Sequence, residues 1–230
     1  MEKRGMRLNH LLTALLIVAV VAALSGCICC FGQDGFFSKL KKPVSAIQFP
    51  SALKIGQKTY NKAYSNEYLD RDSAKSGLKA FARKLGYGSG DMQGLVDKAI
   101  ELSGINQYKS FKYTDGSAKG IVGGLVAKTD APSTVTGGYE AIKQSATAGQ
   151  SAINDPSQNT GDVRNVVSGG SSSLGDGGDR YTMTVNGETC YVVVVKYSNM
   201  YISAYSFESY DACDAAIAMA IEQVDIAASS

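Results

Sequence analysis

The clearest alternation of apolar and polar positions lies near the C-terminus of the chain. Residues 181–185 lead into Asn186-Gly187, the dipeptide most typical of a two-residue β-hairpin turn. The next segment, Cys190–Tyr197, contains four consecutive valines, a run typical of a strand that is covered on both faces. Tyr201–Phe207 is then expected to place Tyr201, Ser203, Tyr205 and Phe207 on one face and Ile202, Ala204 and Ser206 on the other. The pattern predicts a three-stranded antiparallel meander, closed from one side by an amphipathic helix over about residues 210–227.

The preceding part of the chain mixes helical and strand patterns. Apolar residues at helical spacing predict one helix that is capped by Asp72 or Ser73 and ends at Gly86. They also predict a helix over about residues 89–104 and another over about residues 133–150. A strand is expected within residues 51–69. Residues 108–128 predict a hairpin around Asp115-Gly116, in which Gly123-Gly124 marks a bulge or a bend.

A polar, glycine-rich stretch separates these two parts. Ser151–Asp179 is rich in Gly, Ser, Asn and Asp and has little apolar surface to bury, so we expect a mobile loop. It lacks the Gly-Lys-Ser/Thr ending of a phosphate-binding loop. Asp176 and Asp179 are too few to supply the six to eight oxygen ligands of calcium, and we predict no metal site.

The predicted elements define an α+β fold with a curved antiparallel sheet and helices packed on one face. We expect a single domain over residues 51–228. Ala63-Tyr-Ser-Asn-Glu67 is similar to Ala204-Tyr-Ser-Phe-Glu208, and an amphipathic helix is expected after each. This similarity raises the hypothesis of two duplicated strand-plus-helix halves, residues 51–150 and 160–228.

The N-terminus has a different pattern from the rest of the chain. A basic head with Lys3, Arg4 and Arg7 precedes the apolar run Leu11–Leu24, which only Thr13 interrupts. Leu24-Ser25-Gly26-Cys27 follows directly. A basic head, a short apolar region and a small-residue exit are typical of a secretory signal peptide.

The exit resembles the lipobox of exported lipoproteins. The resemblance implies that residues 1–26 are removed and that Cys27 becomes a diacylglyceryl cysteine at the new N-terminus. Residues 27–50 are then expected to be a lipid-anchored tether, and the body is expected on the extracytoplasmic side of the membrane. Lys39, Lys41 and Lys42 in this tether could contact anionic head groups, but three charges are fewer than such binding usually needs, so a solvated linker is the preferred interpretation.

Two other interpretations of the N-terminus remain open. The mostly apolar stretch Leu11–Phe31 is about 21 residues long, which is enough for an uncleaved membrane-spanning anchor. The second interpretation is that the leader is cleaved and the body is fully secreted. Both also place the body outside the cytoplasm.

Composition narrows the chemistry of the body. Removal of residues 1–26 leaves 20 basic and 20 acidic residues, so the body has no basic excess for binding nucleic acid. The single histidine, His10, belongs to the leader. A body without histidine cannot contain a Ser-His-Asp triad, a Cys-His pair or an imidazole metal ligand. We therefore predict no catalytic residues and no cofactor.

Cys190 and Cys213 are the two cysteines that lie beyond the leader region. An oxidising compartment favours a disulfide between them, which would stabilise the fold by about 3 kcal/mol. Two buried thiols in the core are the alternative.

A second resemblance covers about residues 165–228. It rests on Ser173-Leu-Gly-Asp176, Tyr181, the strand Val192–Lys196 and Asn199. This arrangement is similar to sensor-like extracytoplasmic lipoprotein domains of bacteria and archaea, in which a Leu-Gly-Asp turn precedes two or three strands and a covering helix. The chain departs from that pattern at Gly177-Gly178, where an acidic residue and alanine are more usual. The resemblance implies fold and location, not chemistry.

The sequence favours a membrane-anchored, non-enzymatic binding or interaction module, with an unidentified extracytoplasmic ligand or protein as its partner. One alternative is a carboxylate-based hydrolase that uses Glu67 with Asp70 or Glu208 with Asp211, provided that two carboxylates face each other across a cleft. The other alternative is a structural component of the cell envelope.

Overall fold

A computed structural model describes residues 39–82, 103–139, 163–185 and 187–230. These residues form one eight-stranded sheet in the order β1-β2-β3-β4-β8-β7-β6-β5, and every neighbouring pair is antiparallel. The strands are β1 (Ala52–Ile55), β2 (Lys58–Tyr68), β3 (Gln107–Thr114), β4 (Ile121–Lys128), β5 (Val163–Ser172), β6 (Gly178–Val185), β7 (Glu188–Tyr197) and β8 (Met200–Ser206). The helices are α1 (Arg71–Ala82), α2 (residues 132–139) and α3 (Tyr210–Ser229). The predicted antiparallel α+β fold is confirmed.

Two four-stranded meanders meet in the middle of the sheet, where β4 pairs with β8. The hairpin predicted around Asp115-Gly116 is formed by β3 and β4. The meander predicted near the C-terminus is formed by β6, β7 and β8, and α3 follows it as expected. Ser209 caps α3 through its hydroxyl, which accepts a hydrogen bond from the Ala212 backbone N–H.

Each face of the sheet has its own composition. On the first face, α3 and residues 40–49 pack against the sheet to form the main apolar core. This core includes Leu40, Ile47, Phe111, Tyr113, Val193, Val195, Ile202, Ile217 and Val224. On the second face, α1 and α2 lie against tyrosines, since Tyr201 donates to the backbone of α2 and Gly77 of α1 lies against Tyr108. The described helices therefore contact both faces, whereas the sequence pattern predicted helices on one face.

The glycine- and serine-rich stretch differs from its prediction. Part of it forms the edge strand β5, and its end begins β6, so the mobile loop predicted for residues 151–179 is wrong for these parts. Ladder hydrogen bonds to β6 support β5 although it has few apolar side chains. The register shifts twice along this pair, and Asn165 and Gly170 have φ values of 53° and 93°. Such bulges protect an edge strand from pairing with other chains.

Gly123 and Gly124 do not form the predicted bulge, because β3 and β4 pair there without a break in register. Gly123 instead lies under the Tyr205 hydroxyl, and a side-chain carbon at this position would overlap with it. Glycine is therefore needed at position 123, because the Tyr205 side chain packs directly against the backbone there.

The predicted helices are described in part. The cap of α1 is Asp70 and not Asp72 or Ser73, because the Asp70 carboxylate accepts the Ser73 backbone N–H at 2.8 Å. The predicted helix over residues 89–104 lies almost wholly outside the described residues. Residues 132–139 of the predicted third helix are helical, and its remainder also lies outside them.

The hypothesis of duplicated halves has no support in the structure. The two similar pentapeptides lie on β2, which is second from the edge, and around the end of the central strand β8. The helices that follow them, α1 and α3, pack on opposite faces of the sheet.

Candidate functional site

The segment Lys39–Pro50, here called the strap, is packed into the body. Leu40, Val44 and Ile47 are fully buried, and Phe49 contacts the ring of Phe111 edge-on at 4.7 Å between centroids. These side chains belong to the same core cluster as α3. Packing in the core therefore reaches back to Leu40, and the prediction of a tether that extends to Pro50 is wrong from Leu40 onward. Cys27 lies outside the described residues.

Side chains of the sheet hold the strap, which pairs with none of the described strands. Backbone carbonyls need hydrogen-bond donors when they are removed from water, and lysines supply most of them here. Lys128 Nζ donates to Lys42 O at 2.8 Å, Lys109 Nζ to Ile47 O at 2.8 Å, Lys62 Nζ to Phe49 O at 2.7 Å, and Tyr113 Oη to Pro50 O at 2.9 Å. Each of these side chains comes from β2, β3 or β4 and points toward the first face.

Sequence reasoning missed these lysines. The available signal was the pattern of β3, where Lys109 shares a face with Phe111 and Tyr113 in an otherwise apolar strand. A lysine on an apolar face indicates that its ammonium has a buried acceptor.

Asn199 fixes the beginning of the strap. Its side chain is fully buried in the turn between β7 and β8. Its Oδ1 accepts the Leu40 N–H at 3.3 Å, and its Nδ2 donates to Leu40 O at 3.3 Å and to Thr129 O at 3.2 Å. One amide group thus joins the strap, the β7–β8 turn and the end of β4.

The end of the sheet where the strap begins is here called the anchor end. It contains the β7–β8 turn, the end of β4 and the end of α3, and the opposite end is called the distal end. Lys39 forms an ion pair with Asp225 at 2.8 Å, and the hydrogen bond to Asp225 raises the pKa of Lys39. Lys41 and Lys42 are exposed next to it. Lys42 Nζ donates to Ser230 Oγ at 3.2 Å, so both ends of the described chain meet here.

The carboxylates named as candidates for hydrolysis have structural partners. Glu67 pairs with Lys109 at 3.2 Å near the anchor end, and Asp70 caps α1, whose Ser73 N–H lowers the Asp70 pKa. Glu208 lies at the distal end. Its pKa is lowered by Lys58, at 2.8 Å, and by the Tyr60 hydroxyl, at 2.6 Å.

Asp211 lies in the first turn of α3, where a negative charge interacts favourably with the helix dipole. The Glu67–Asp70 pair and the Glu208–Asp211 pair therefore lie at opposite ends of the sheet.

The fold also gives Asp176 and Asp179 separate positions and separate hydrogen-bond partners. Asp176 Oδ2 accepts the Ser198 N–H at 2.6 Å and stabilises the β7–β8 turn, in which Ser198 has a φ of 55°. Asp179 is buried on the second face and accepts a hydrogen bond from the Tyr139 hydroxyl at 2.9 Å. Across residues 39–82, 103–139, 163–185 and 187–230, no three His, Cys, Asp or Glu side chains are grouped as metal ligands.

Cys190 and Cys213 are free, buried thiols in the structure, which does not contain the predicted disulfide. The pleat of β7 gives the reason. Cys190 alternates with Tyr191 and Val193, which face α3, so its side chain points to the second face. Cys213 lies on α3 at the first face, where its Sγ donates to Tyr191 O at 3.3 Å. Burial raises the pKa of both thiols, which makes them poor nucleophiles.

A row of side chains crosses the second face at one register level. Tyr64, Lys112, Gly123 and Tyr205 occupy paired positions on four neighbouring strands. Burial lowers the pKa of Lys112 and raises that of Tyr205. Among the described residues, the Tyr205 hydroxyl has no hydrogen-bond partner. The row was not predicted, because only the pairing of distant strands brings these residues together.

Comparison with known proteins yields no matching family model, no matching curated protein and no matching solved structure. In the part of the chain that the structure describes, no helix is both long and apolar enough to cross a membrane.

Proposed function

We propose that this protein is a membrane-anchored extracytoplasmic lipoprotein whose α+β body acts as a non-enzymatic binding or interaction module. The proposal starts from the leader, in which a basic head and an apolar run end at Leu24-Ser-Gly-Cys27. In this proposal Cys27 carries the lipid, and the body lies outside the cytoplasm.

The observation that carries the proposal is the packing of the strap. Eleven residues, 28–38, separate Cys27 from Lys39, the first residue of the strap. Even a fully extended chain of this length spans no more than roughly 40 Å. A lipid on Cys27 would therefore hold the body close to the membrane, with its anchor end nearest to the bilayer.

This arrangement directs the distal end toward soluble partners. Among the described residues, the distal end contains the turns at Gly56, Gly116 and Gly187. It also contains the ion pairs Lys58–Glu208 and Lys119–Glu188, each with a nitrogen–oxygen distance of 2.7 or 2.8 Å. Exposed side chains of both signs on short, well-defined turns suit recognition of a polar partner.

Replacement of single cysteines in the leader tests the anchor. Cys27→Ser should abolish processing and lipid attachment, because the thioether needs the sulfur atom. Cys29→Ser is the matched control, since it makes the same change two residues later. The readouts are the intact mass of the protein extracted from membranes and its co-fractionation with them.

The same pair of variants separates the alternatives. A wild-type mass that corresponds to residues 27–230 plus lipid, lost in Cys27→Ser and kept in Cys29→Ser, supports the proposal. If the wild type and both variants are instead found in membranes with the full mass of residues 1–230, the N-terminus is an uncleaved anchor. Recovery of unmodified protein in the soluble fraction would overturn both forms of attachment.

A further inference from the structure

We propose that the outer edge of β2 pairs with the same edge of a second copy of this chain, so that two sheets join through an antiparallel pair of β2 strands. The two-fold axis of the pair passes between the two copies of Asn66. This inference goes beyond the proposed function, because the pairing itself needs no lipid.

The first argument is that half of β2 has no neighbouring strand on its outer side. β1 pairs only with Lys58–Asn61, and the Lys62 N–H donates to Ser51 O at 2.8 Å where that pairing ends. None of the described strands pairs with this side of β2 over residues 63–68. Five of the seven residues 63–69 are exposed. An edge of this kind offers backbone N–H and C=O groups to another extended chain.

The second argument is that this edge lacks the features that protect β5. Residues 64–68 pair with β3 in unbroken register, since the register shift of β2 lies between Lys62 and Tyr64. They contain no proline, glycine or lysine, and none of them has a positive φ. Their single charge, on Glu67, is paired with Lys109 at 3.2 Å. Natural proteins use bulges, prolines and lysines to keep edge strands unpaired, so this regular edge is suited to accept a strand.

The third argument is that the edge is complementary to itself. Opposite residues of an antiparallel pair lie on the same face of the joined sheet. When Asn66 lies opposite its own copy, Tyr64 lies opposite Tyr68 and Ser65 lies opposite Glu67. An aromatic pair therefore forms on each side of the axis, and no like charges meet.

The same register also gives a partner to an exposed apolar side chain. The next pair outward from Tyr64 and Tyr68 is Ala63 with Leu69. Leu69 is 42% exposed and is one of three large apolar side chains that are exposed among the described residues. Pairing places it beside the methyl group of an exposed alanine.

Other registers fit less well. An offset of one residue would place side chains of one face opposite side chains of the other face. A pair centred on Glu67 would bring two carboxylates together, which is destabilising. A pair centred on Ser65 would leave Tyr68 opposite Lys62, on the far side of the register shift.

The length of the edge determines where the pair forms. A stable interface takes about 20–30 residues from each partner, whereas this edge offers the seven residues 63–69. The chain is therefore monomeric in dilute solution and pairs where it is concentrated. Attachment to a membrane, as proposed above, supplies such a concentration.

The symmetry of the pair is compatible with attachment of both copies to one membrane. A two-fold axis perpendicular to the sheet keeps both first faces, and therefore both straps, on one side. The two anchor ends meet at the middle of the pair, because Tyr68 lies level with Tyr201 next to the β7–β8 turn. Both distal ends stay free for other partners.

Disulfide trapping of the full-length protein in membranes of the producing cells tests the inference. The background carries Cys29→Ser and Cys30→Ser, and Cys27 stays in place for the lipid. In this background, Asn66→Cys should give a disulfide-linked dimer on oxidation, because opposite Cα atoms are about 4.5–5.5 Å apart. Ser168→Cys, at an exposed position of the other edge strand β5, is the matched control and should give several-fold less dimer. The background chain without an added cysteine should give none.

Further variants test the register. Chains with Ser65→Cys and chains with Glu67→Cys, produced together, should link to each other several-fold more than to themselves, since identical positions lie about 7–8 Å apart on the diagonal. Asn66→Lys in both chains should lower this linking by up to about fivefold, because two ammonium groups then meet at the axis. Asn61→Lys, the same change at an exposed position that β1 covers, should leave the linking unchanged.

The outcomes separate this inference from the proposed function. Equal dimer from Asn66→Cys and Ser168→Cys, or none from either, would overturn the inference and leave the proposed function intact if the protein is still found with membranes. A disulfide adduct of Asn66→Cys with a different polypeptide would assign the edge to another extended chain and would also overturn the inference. Recovery of the protein in the soluble fraction, with the Asn66→Cys dimer still formed, would overturn the proposed attachment alone.

Discussion

At the scale of single residues, buried polar side chains replace the backbone pairing that the strap lacks. Asn199 satisfies both backbone groups of Leu40 and the carbonyl of Thr129 with one amide. Lys109 and Lys128 do the same for carbonyls further along. A long side chain can reach across the strand edge, so this irregular segment meets its hydrogen-bonding needs without joining the sheet.

Asn199→Ala should destabilise the protein by about 2–4 kcal/mol, because it leaves three buried backbone groups without a partner. Urea unfolding followed by circular dichroism measures the change. Asn66→Ala, at an exposed position of β2, is the matched control and should change the unfolding free energy by less than about 0.5 kcal/mol. Equal effects of the two substitutions would show that the strap is not held through Asn199.

Packing of tyrosine hydroxyls on glycine is the second feature at this scale. It occurs at Gly123 with Tyr205 and at Gly138 with Tyr201. The sequence contains 13 tyrosines and 25 glycines but no tryptophan. The abundance of both residue types was visible in the sequence, but their pairing was not, because the partners are more than 60 residues apart.

The two adjacent glycines of α2 allow a matched test of this packing. Gly138→Ala should destabilise by about 1–3 kcal/mol, because the added methyl group overlaps with the Tyr201 hydroxyl. Gly137→Ala meets open space and should stabilise by up to about 1 kcal/mol, since alanine favours a helix over glycine. Thermal unfolding of both variants measures whether each substitution lowers or raises the stability of the protein. Destabilisation by both changes to the same degree would assign the effect to the helix and not to Tyr201.

At the scale of elements, regular patterns were predictable and irregular segments were not. The strands β6, β7 and β8 and the helix α3 agree with their predictions to within a few residues, because alternation and the turn at Asn186-Gly187 are local signals. The strand β5 was missed because its Gly and Ser residues carry no alternation. The strap was missed because prolines and lysines resemble a linker, although its apolar residues Leu40, Val44 and Ile47 pack against the sheet and α3.

Candidate sites were predicted less well than elements. The sulfur atoms of Cys190 and Cys213 both lie near the carbonyl oxygen of Tyr191, yet the pleat directs the two side chains to opposite faces. The carboxylates became caps and ion-pair partners, which are the roles that most exposed acids have in folded proteins. In both cases the missing information was the direction of a side chain relative to a neighbouring element.

Ile47→Ala tests whether the strap belongs to the core. The substitution should destabilise the protein by about 2–5 kcal/mol, since Ile47 is fully buried and belongs to the same core cluster as α3. Gln48→Ala, which changes the adjacent exposed residue, should have an effect below about 0.5 kcal/mol. Denaturant unfolding measures both. A neutral Ile47→Ala would return residues 40–50 to the role of a linker.

At the scale of the whole molecule, one sheet separates the main apolar core from a second face that is rich in buried tyrosines. The first face contains the strap and α3, and the second contains Tyr108, Tyr139, Tyr201 and Tyr205. Burial holds the pKa of these phenols well above the ordinary value of 10.0. Tyr113 and Tyr181 have pKa values raised to about 12 for the same reason.

The protein should therefore unfold cooperatively in alkali. Between the ordinary tyrosine pKa of 10.0 and about 12, a phenol such as Tyr113 ionises in the unfolded chain but stays neutral in the folded one. The unfolded state then binds fewer protons, so the unfolding free energy falls as the pH rises through this range. Tyrosinate absorbance and circular dichroism, recorded together, should change in one transition. Gradual ionisation near pH 10 without loss of structure would contradict the burial of these rings.

The hydrogen bonds between Leu40 and Asn199 span 159 positions of the chain. Leu40 leaves the ribosome early and Asn199 late, so this contact cannot form until β7 and β8 have been synthesised, although the strap can already pack against β3 and β4. Contacts of such high sequence separation slow folding, because a long loop must close before they form. Docking of Leu40 on the β7–β8 turn is therefore expected to be a late event, which closes the body after the sheet around it has formed.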